Sequence, residues 1–185
     1  MARIPTASQT LGPFYSYDFM RNDDPVIATP KAAGQHITLK GRLMDKNGGP
    51  VREGLIEVWQ ADSEGRYPGQ DPAADPEVRG FGRCLTDING NFAFQTVIPG
   101  ASSSGRNSLQ APHFAVNVFA SGLMRHVTTR IYVPSSEIAD SFLDGLPVAA
   151  KSLMLARSSV GADGKQMLEA DIRLGDERGT PSFED

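Results

Sequence analysis

Imidazole, phenol and thiol side chains are few in this chain: three histidines, four tyrosines and one cysteine. The most suggestive placement is the stretch His113-Phe114-Ala115-Val116-Asn117-Val118-Phe119-Ala120. On a strand, alternate side chains share a face, so His113, Ala115, Asn117 and Phe119 stand together. Two imidazoles spaced two apart on such a strand can reach one ion. Here the second position is alanine, and that pairing is broken.

The other candidates are weaker. His36 begins a strand-like run beside Gly34 and reads as a surface or strand-edge residue, and His126 falls in a turn without a carboxylate nearby in sequence. No H-x-H, H-E-x-x-H or C-x-x-C is present, so a zinc site has no support. A G-x-S-x-G elbow and a Gly-rich phosphate loop are also missing. Cys84, in Gly82-Arg83-Cys84-Leu85-Thr86, reads as a small buried thiol rather than a nucleophile, and one cysteine excludes an intrachain disulfide. That suits a reducing compartment.

The elements that must position these residues are short alternating runs broken by turn signals. Runs at 36–44, 55–61, 83–86, 92–97, 113–120, 127–133 and 167–174 read as strands, and Asp87-Ile88-Asn89-Gly90 reads as a hairpin turn. Recurrent strands with Gly and Asp turns predict an all-β, antiparallel β-sandwich. Only residues 139–156 read as helical, interrupted by Gly145 and Pro147. At 185 residues and 39% hydrophobic content, the expectation is one domain with a real core, an extended arm over 1–33 and the sandwich over 34–185. The net charge of −4, with no basic stripe, argues against nucleic acid, and no apolar run approaches membrane-spanning length. A cytoplasmic protein is expected.

Two irregular stretches exceed what a minimal sandwich needs. Residues 67–80 hold Pro68, Pro72 and Pro76 among several acids, and the arm carries Phe14, Tyr15, Tyr17 and Phe19. Those aromatics are costly to leave in water, which favours a functional or interfacial arm over a frayed tail. Gly12-Pro13 forms a stiff corner; on its own it is an ordinary turn.

Leu55-Ile56-Glu57-Val58-Trp59-Gln60-Ala61-Asp62, Gly65-Arg66-Tyr67 and Phe81-Gly82-Arg83-Cys84-Leu85-Thr86-Asp87 closely resemble the intradiol ring-cleavage dioxygenases. Pro99-Gly100, Ala111-Pro112-His113, Thr129-Arg130-Ile131-Tyr132 and the opening Ser8-Gln9-Thr10-Leu11-Gly12-Pro13-Phe14 extend the resemblance over nearly the whole chain. The resemblance implies ferric iron held by two tyrosines and two histidines. Tyr67 matches the first tyrosine and His113 the first histidine; the second tyrosine falls at Ser102, after Pro99-Gly100-Ala101, and the second histidine at Ala115. Serine is a poor ferric ligand and alanine offers none, so a two-ligand remnant is not expected to hold iron.

That pattern resembles the iron-free α-type chains of heteromeric family members, which pair with an iron-bearing β chain. The resemblance then implies no metal and no catalytic residue in this chain, Fe(III) in the partner β chain, and a substrate pocket lined in part by Thr10, Gly12 and Pro13. The implied reaction is O₂-dependent cleavage of 3,4-dihydroxybenzoate to 3-carboxy-cis,cis-muconate, in aromatic catabolism. Related α chains often place an arginine where this chain has Ser121, and Arg125 could supply that charge instead; as a bare turn residue it is a solvated cation. Three alternatives stay open: a self-sufficient dioxygenase recruiting Tyr132 or His126, a complex acting on another substituted catechol, and a non-enzymatic binding sandwich.

Overall fold

A computed structural model of the chain describes residues 10, 12, 19–104, 108–134, 140–161, 164–175 and 178–183. Two sheets face each other. The first is built around β1 (His36–Met44), which pairs antiparallel with β4 (Asn91–Val97) on one side. On its other side β1 pairs parallel with β10 (Gln166–Glu169) and then β11 (Ile172–Arg173), and β9 (Arg157–Val160) completes the sheet beyond β10. The second sheet is wholly antiparallel, in the order β3 (Phe81–Leu85), β2 (Leu55–Trp59), β7 (His113–Phe119), β8 (Val127–Tyr132). A small hairpin of β5 (Ser102–Ser104) and β6 (Ser108–Gln110) stands apart from both. The expected all-β sandwich is what forms; among the named strands, pairing is parallel where β1 meets the C-terminal strands.

Period-2 patterning builds the core. Along β4, Phe92, Phe94 and Thr96 point inward while Asn91, Ala93 and Gln95 point out. Ile37, Leu39 and Leu43 of β1 meet Ile56 and Val58 of β2, Phe114, Val116 and Val118 of β7 and Ile131 of β8 in one cluster. The predicted turn between β3 and β4 is fixed by Asp87, whose Oδ1 accepts from the backbone N–H of Asn89 and Asn91, both at 2.8 Å. Where helix was expected, α1 (Ser141–Asp144) and α2 (Val148–Met154) form, separated by Gly145, Leu146 and Pro147. Asp140 caps α1 through Oδ1, which accepts from Phe142 N and Leu143 N.

The arm ends earlier than its composition suggests. Ile27 is fully buried in the main cluster, and Ala28 and Ala32 pack with Val78 and Val97. Asp24 and Pro25 are tied to the sheets as well, their carbonyls accepting from Arg83 N and Gln95 N, so residues 24–32 pack on the sandwich. The irregular segment after Tyr67 is a chain of turns whose far end, Val78, bridges to Ala28.

Candidate functional site

The same alternation that sends Ile56, Val58, Phe114, Val116 and Ile131 inward puts a different set on the outer face of the second sheet. Register sorts that set into transverse rows. Phe81, Trp59, Ala115 and Arg130 stand in line across β3, β2, β7 and β8. Arg83, Glu57, Asn117 and Thr128 form the next row, and His113 pairs with Tyr132 on the opposite side of the first. Directly opposed side chains in antiparallel pairs lie within contact distance. This face is aromatic and charged where a solvated sandwich face would be simply polar.

Tyr67 reaches this face from a turn held by a buried carboxylate. Asp62 is 1% exposed. Its Oδ1 accepts from Glu64 N and Arg66 N and its Oδ2 from Asp75 N, each at 2.9 Å. Gly65 has φ +82°, and a Cβ there would stand 1.9 Å from the Ala101 carbonyl oxygen, so only glycine lets the turn tuck beneath Ala101. The Tyr67 ring then lies parallel to Trp59, with centroids 6.1 Å apart. Ser102, buried at the start of β5, follows Ala101 directly. The structure thus brings the four positions matched to ligands to one end of the second sheet: Tyr67 on Trp59, Trp59 beside Ala115, His113 two residues away, and Ser102 behind the Tyr67 turn.

His113 is buried, and its Nδ1 lies 2.7 Å from the Ala111 carbonyl oxygen. A carbonyl only accepts, so Nδ1 carries the hydrogen and, in the neutral ring, Nε2 keeps its lone pair. Burial, then the positive charge of Arg130, pushes the His113 pKa down to about 4. The neutral ring is therefore favoured in the folded chain. The unfolded chain takes up a proton near pH 6.5 and the folded chain only near 4, so this contribution is full above 6.5 and is lost as pH falls through that window. Stability should drop by about 2 kcal/mol between pH 7 and pH 5 from this group. Urea unfolding of the native chain and His113→Gln at both pH values checks it: the difference between the two proteins should shrink toward acid. An unchanged difference would remove His113 as the titrating group.

The neighbouring cluster was not foreseen from sequence. Arg130 Nη1 donates to Tyr132 Oη at 3.1 Å and stands 3.7 Å from Asp140 Oδ2. Asp140 is itself 3% exposed, and its Oδ2 also accepts from Ala111 N. Phe183 covers the guanidinium at 4.9 Å and stacks on Phe142. Its segment is pinned to β8 by Phe183 N donating to the Thr128 carbonyl and Thr129 Oγ1 donating to the Pro181 carbonyl. Burial pushes the Tyr132 hydroxyl up to about 12. The alternation of Thr128, Arg130 and Tyr132 on one strand face was the available signal for two of these residues.

Of the residues matched to a substrate pocket, Thr10 is tied to the β7–β8 turn. Its Oγ1 donates to the Ala120 carbonyl at 3.3 Å and accepts from Gly122 N at 2.8 Å, bracketing Ser121. Arg125 is exposed in that same turn. Gly12 is exposed, with none of the described residues other than its chain neighbours within 4 Å of an added Cβ and no left-handed φ. Pro13 lies outside the described residues. His126 stacks on Phe119, four residues along β7 from Ala115 and so about 13 Å away, too far to join His113. His36 begins β1 at the edge, its Nε2 2.9 Å from the Ala32 carbonyl. Cys84 is half-buried and burial pushes its thiol up; it borders a cavity of about 550 Å³ with Lys40, Arg42, Asp87 and Phe92 that contains none of the matched residues.

As a donor set, these residues do not make a four-ligand ferric site. Tyr67 and His113 can donate, Ala115 cannot, and Ser102 offers only a neutral hydroxyl. Among the described residues no group of three or more His, Cys, Asp or Glu side chains is placed to hold a metal.

A family profile described as "Dioxygenase" matches residues 11–175. The chain is 33% identical to the protocatechuate 3,4-dioxygenase alpha chain of Pseudomonas putida, over 97% of this chain and 96% of that one. It is 32% identical to the protocatechuate 3,4-dioxygenase beta chain of Burkholderia cepacia, over 83% of this chain and 67% of that one. Among solved structures it shares its fold with the intradiol ring-cleavage dioxygenase of Tetranychus urticae (TM-score 0.63, 16% identity, 91% of this chain and 94% of that one). The dioxygenase domain of a carbohydrate-binding fusion protein from Streptomyces sp. SirexAA-E is similar at TM-score 0.62 and 23% identity, covering 92% and 98%. With its motifs in family order on a shared sandwich and the profile spanning most of its length, the chain belongs to the intradiol ring-cleavage dioxygenase family.

Proposed function

We propose that this chain is the iron-free α-type subunit of a heteromeric protocatechuate 3,4-dioxygenase, acting as a single sandwich domain beside an iron-bearing β-type chain. The observation that carries the reading is the residue set at the matched ligand positions: Tyr67 and His113 kept, Ser102 and Ala115 in place of the second tyrosine and histidine. Similarity to both the alpha and the beta chain of the Burkholderia cepacia enzyme supports a pair of related sandwiches. The reaction is cleavage of 3,4-dihydroxybenzoate by O₂ between its hydroxylated carbons, giving 3-carboxy-cis,cis-muconate, in the cytoplasm. The ferric ion belongs to the partner, where it supplies the chemistry of catechol and O₂ activation.

In this reading the present chain closes the pocket. Thr10 anchors the arm on the β7–β8 turn through its two hydrogen bonds, and Gly12, two residues on, is exposed. Arg125, exposed in the same turn, is the cation for the substrate carboxylate, since Ser121 offers none. The test is the separately purified chain: it should hold no stoichiometric iron and show no visible tyrosinate-to-iron absorption. Near-equimolar iron lost on changing Tyr67 or His113 would establish a self-sufficient enzyme instead.

A further inference from the structure

We propose that the Arg130 guanidinium is a built-in cation that bars a metal ion from this face of the sheet, so that restoring a ligand alone does not restore iron. This rests on the iron-free reading and deepens it. Arg130 is the cross-strand partner of Ala115, the position at which the second imidazole is absent. Side chains of such a pair share one face and touch. The guanidinium is fixed there by several contacts at once. Nη1 holds the hydroxyl of Tyr132, whose ring lies 5.6 Å from His113, and the Asp140 carboxylate stands at 3.7 Å. Phe183 lies over its face. An arginine so held can neither lose its charge nor swing into solvent.

The charges around it are accounted for. Asp140 already accepts from Ala111 N, Phe142 N and Leu143 N besides facing Arg130, so it is not a spare metal ligand. On the far side of Ala115 the row continues with Trp59 and Phe81, which are uncharged. A ferric ion shared by Tyr67, His113 and a new residue at 115 would face a fixed positive charge from the neighbouring strand, whose guanidinium is 18% exposed and so only partly screened by water. Loss of a ligand at 115 and a cation at 130 are thus two separate barriers.

The test uses the full-length chain and ferric citrate as the probe, reading bound iron, the visible tyrosinate-to-iron absorption and thermal melting. Ala115→His alone should bind iron weakly. Ala115→His with Arg130→Gln, which keeps an N–H for Tyr132 and Asp140, should bind at least about tenfold more tightly and acquire the absorption. Ala115→His with Arg130→Lys, which keeps the charge, should remain weak. A merely structural role would move melting in both Arg130 variants without separating them in iron uptake. Equal iron binding by all three proteins, or none by any, overturns the inference. If the amide variant does not fold, Arg130→Met keeps the aliphatic stem beneath Phe183 and carries the same comparison. Iron in the unaltered chain would instead overturn the iron-free reading itself, a result separable from the others.

Discussion

Mixed with an iron-bearing β-type chain, this chain should pass from no measurable turnover to full ring cleavage, a gain of roughly a thousandfold or more. Alone it has two of the four matched ligand residues and an arginine beside the gap. On the proposed reading the partner supplies the metal, and this chain the wall that excludes water and orients the ring. The measurement is O₂ uptake with 3,4-dihydroxybenzoate for each chain alone and for the mixture, with size-exclusion chromatography on the same samples. Complex formation should accompany activity, and obligate interfaces commonly bury about 2,000 Å² or more. Exposed Leu109, Met124 and Phe19 are apolar side chains that such a contact would cover. Turnover by this chain alone would reinstate the self-sufficient reading. A mixture no faster than the β-type chain by itself would leave this chain without a catalytic part. Catechol run beside 3,4-dihydroxybenzoate decides the substituent: a preference for the unsubstituted ring would remove Arg125 as carboxylate partner.

How much of this was legible in the sequence depends on the range of the contact. The alternation of β4 and β7, the Asp87–Gly90 turn and the break at Gly145 and Pro147 are set by neighbours in sequence, and they form as read. The matched ligand positions were legible because they travel inside longer motifs. Parallel pairing of Ile37 with Gln166 was not, since nothing local in either strand specifies a partner so distant along the chain. Nor was the Arg130–Asp140 pair. Asp140 reads locally only as a helix cap, and its second task appears when the chain folds back from β8. Burial of Ile27 was hidden by the prolines around it, which made residues 26–32 look like free arm. At Gly12, read as part of a stiff corner, the φ is not left-handed.

That ordinary backbone makes Gly12 the sharpest probe of the arm. None of the described residues other than its chain neighbours lies within 4 Å of where its Cβ would be, and its φ is not left-handed. Gly12→Val should therefore leave the melting temperature of the isolated chain unchanged. In the assembled enzyme, a branched side chain would intrude wherever the partner or the substrate ring approaches that backbone. The expected loss in kcat/KM is about 1–3 kcal/mol, or roughly 10- to 200-fold, the scale of a crowded pocket contact. Iron content and oligomer size should stay as they were, since no described residue beyond its chain neighbours lies within 4 Å of an added Cβ at position 12. Because the folded chain itself is indifferent to the change, any kinetic loss reports on what lies across the interface. Unchanged kinetics in an intact, iron-loaded complex would take the arm out of the pocket and leave Thr10 as a clasp for the β7–β8 turn. Loss of assembly with normal melting would place Gly12 at the subunit contact instead, seated against the partner's protein surface rather than the ring.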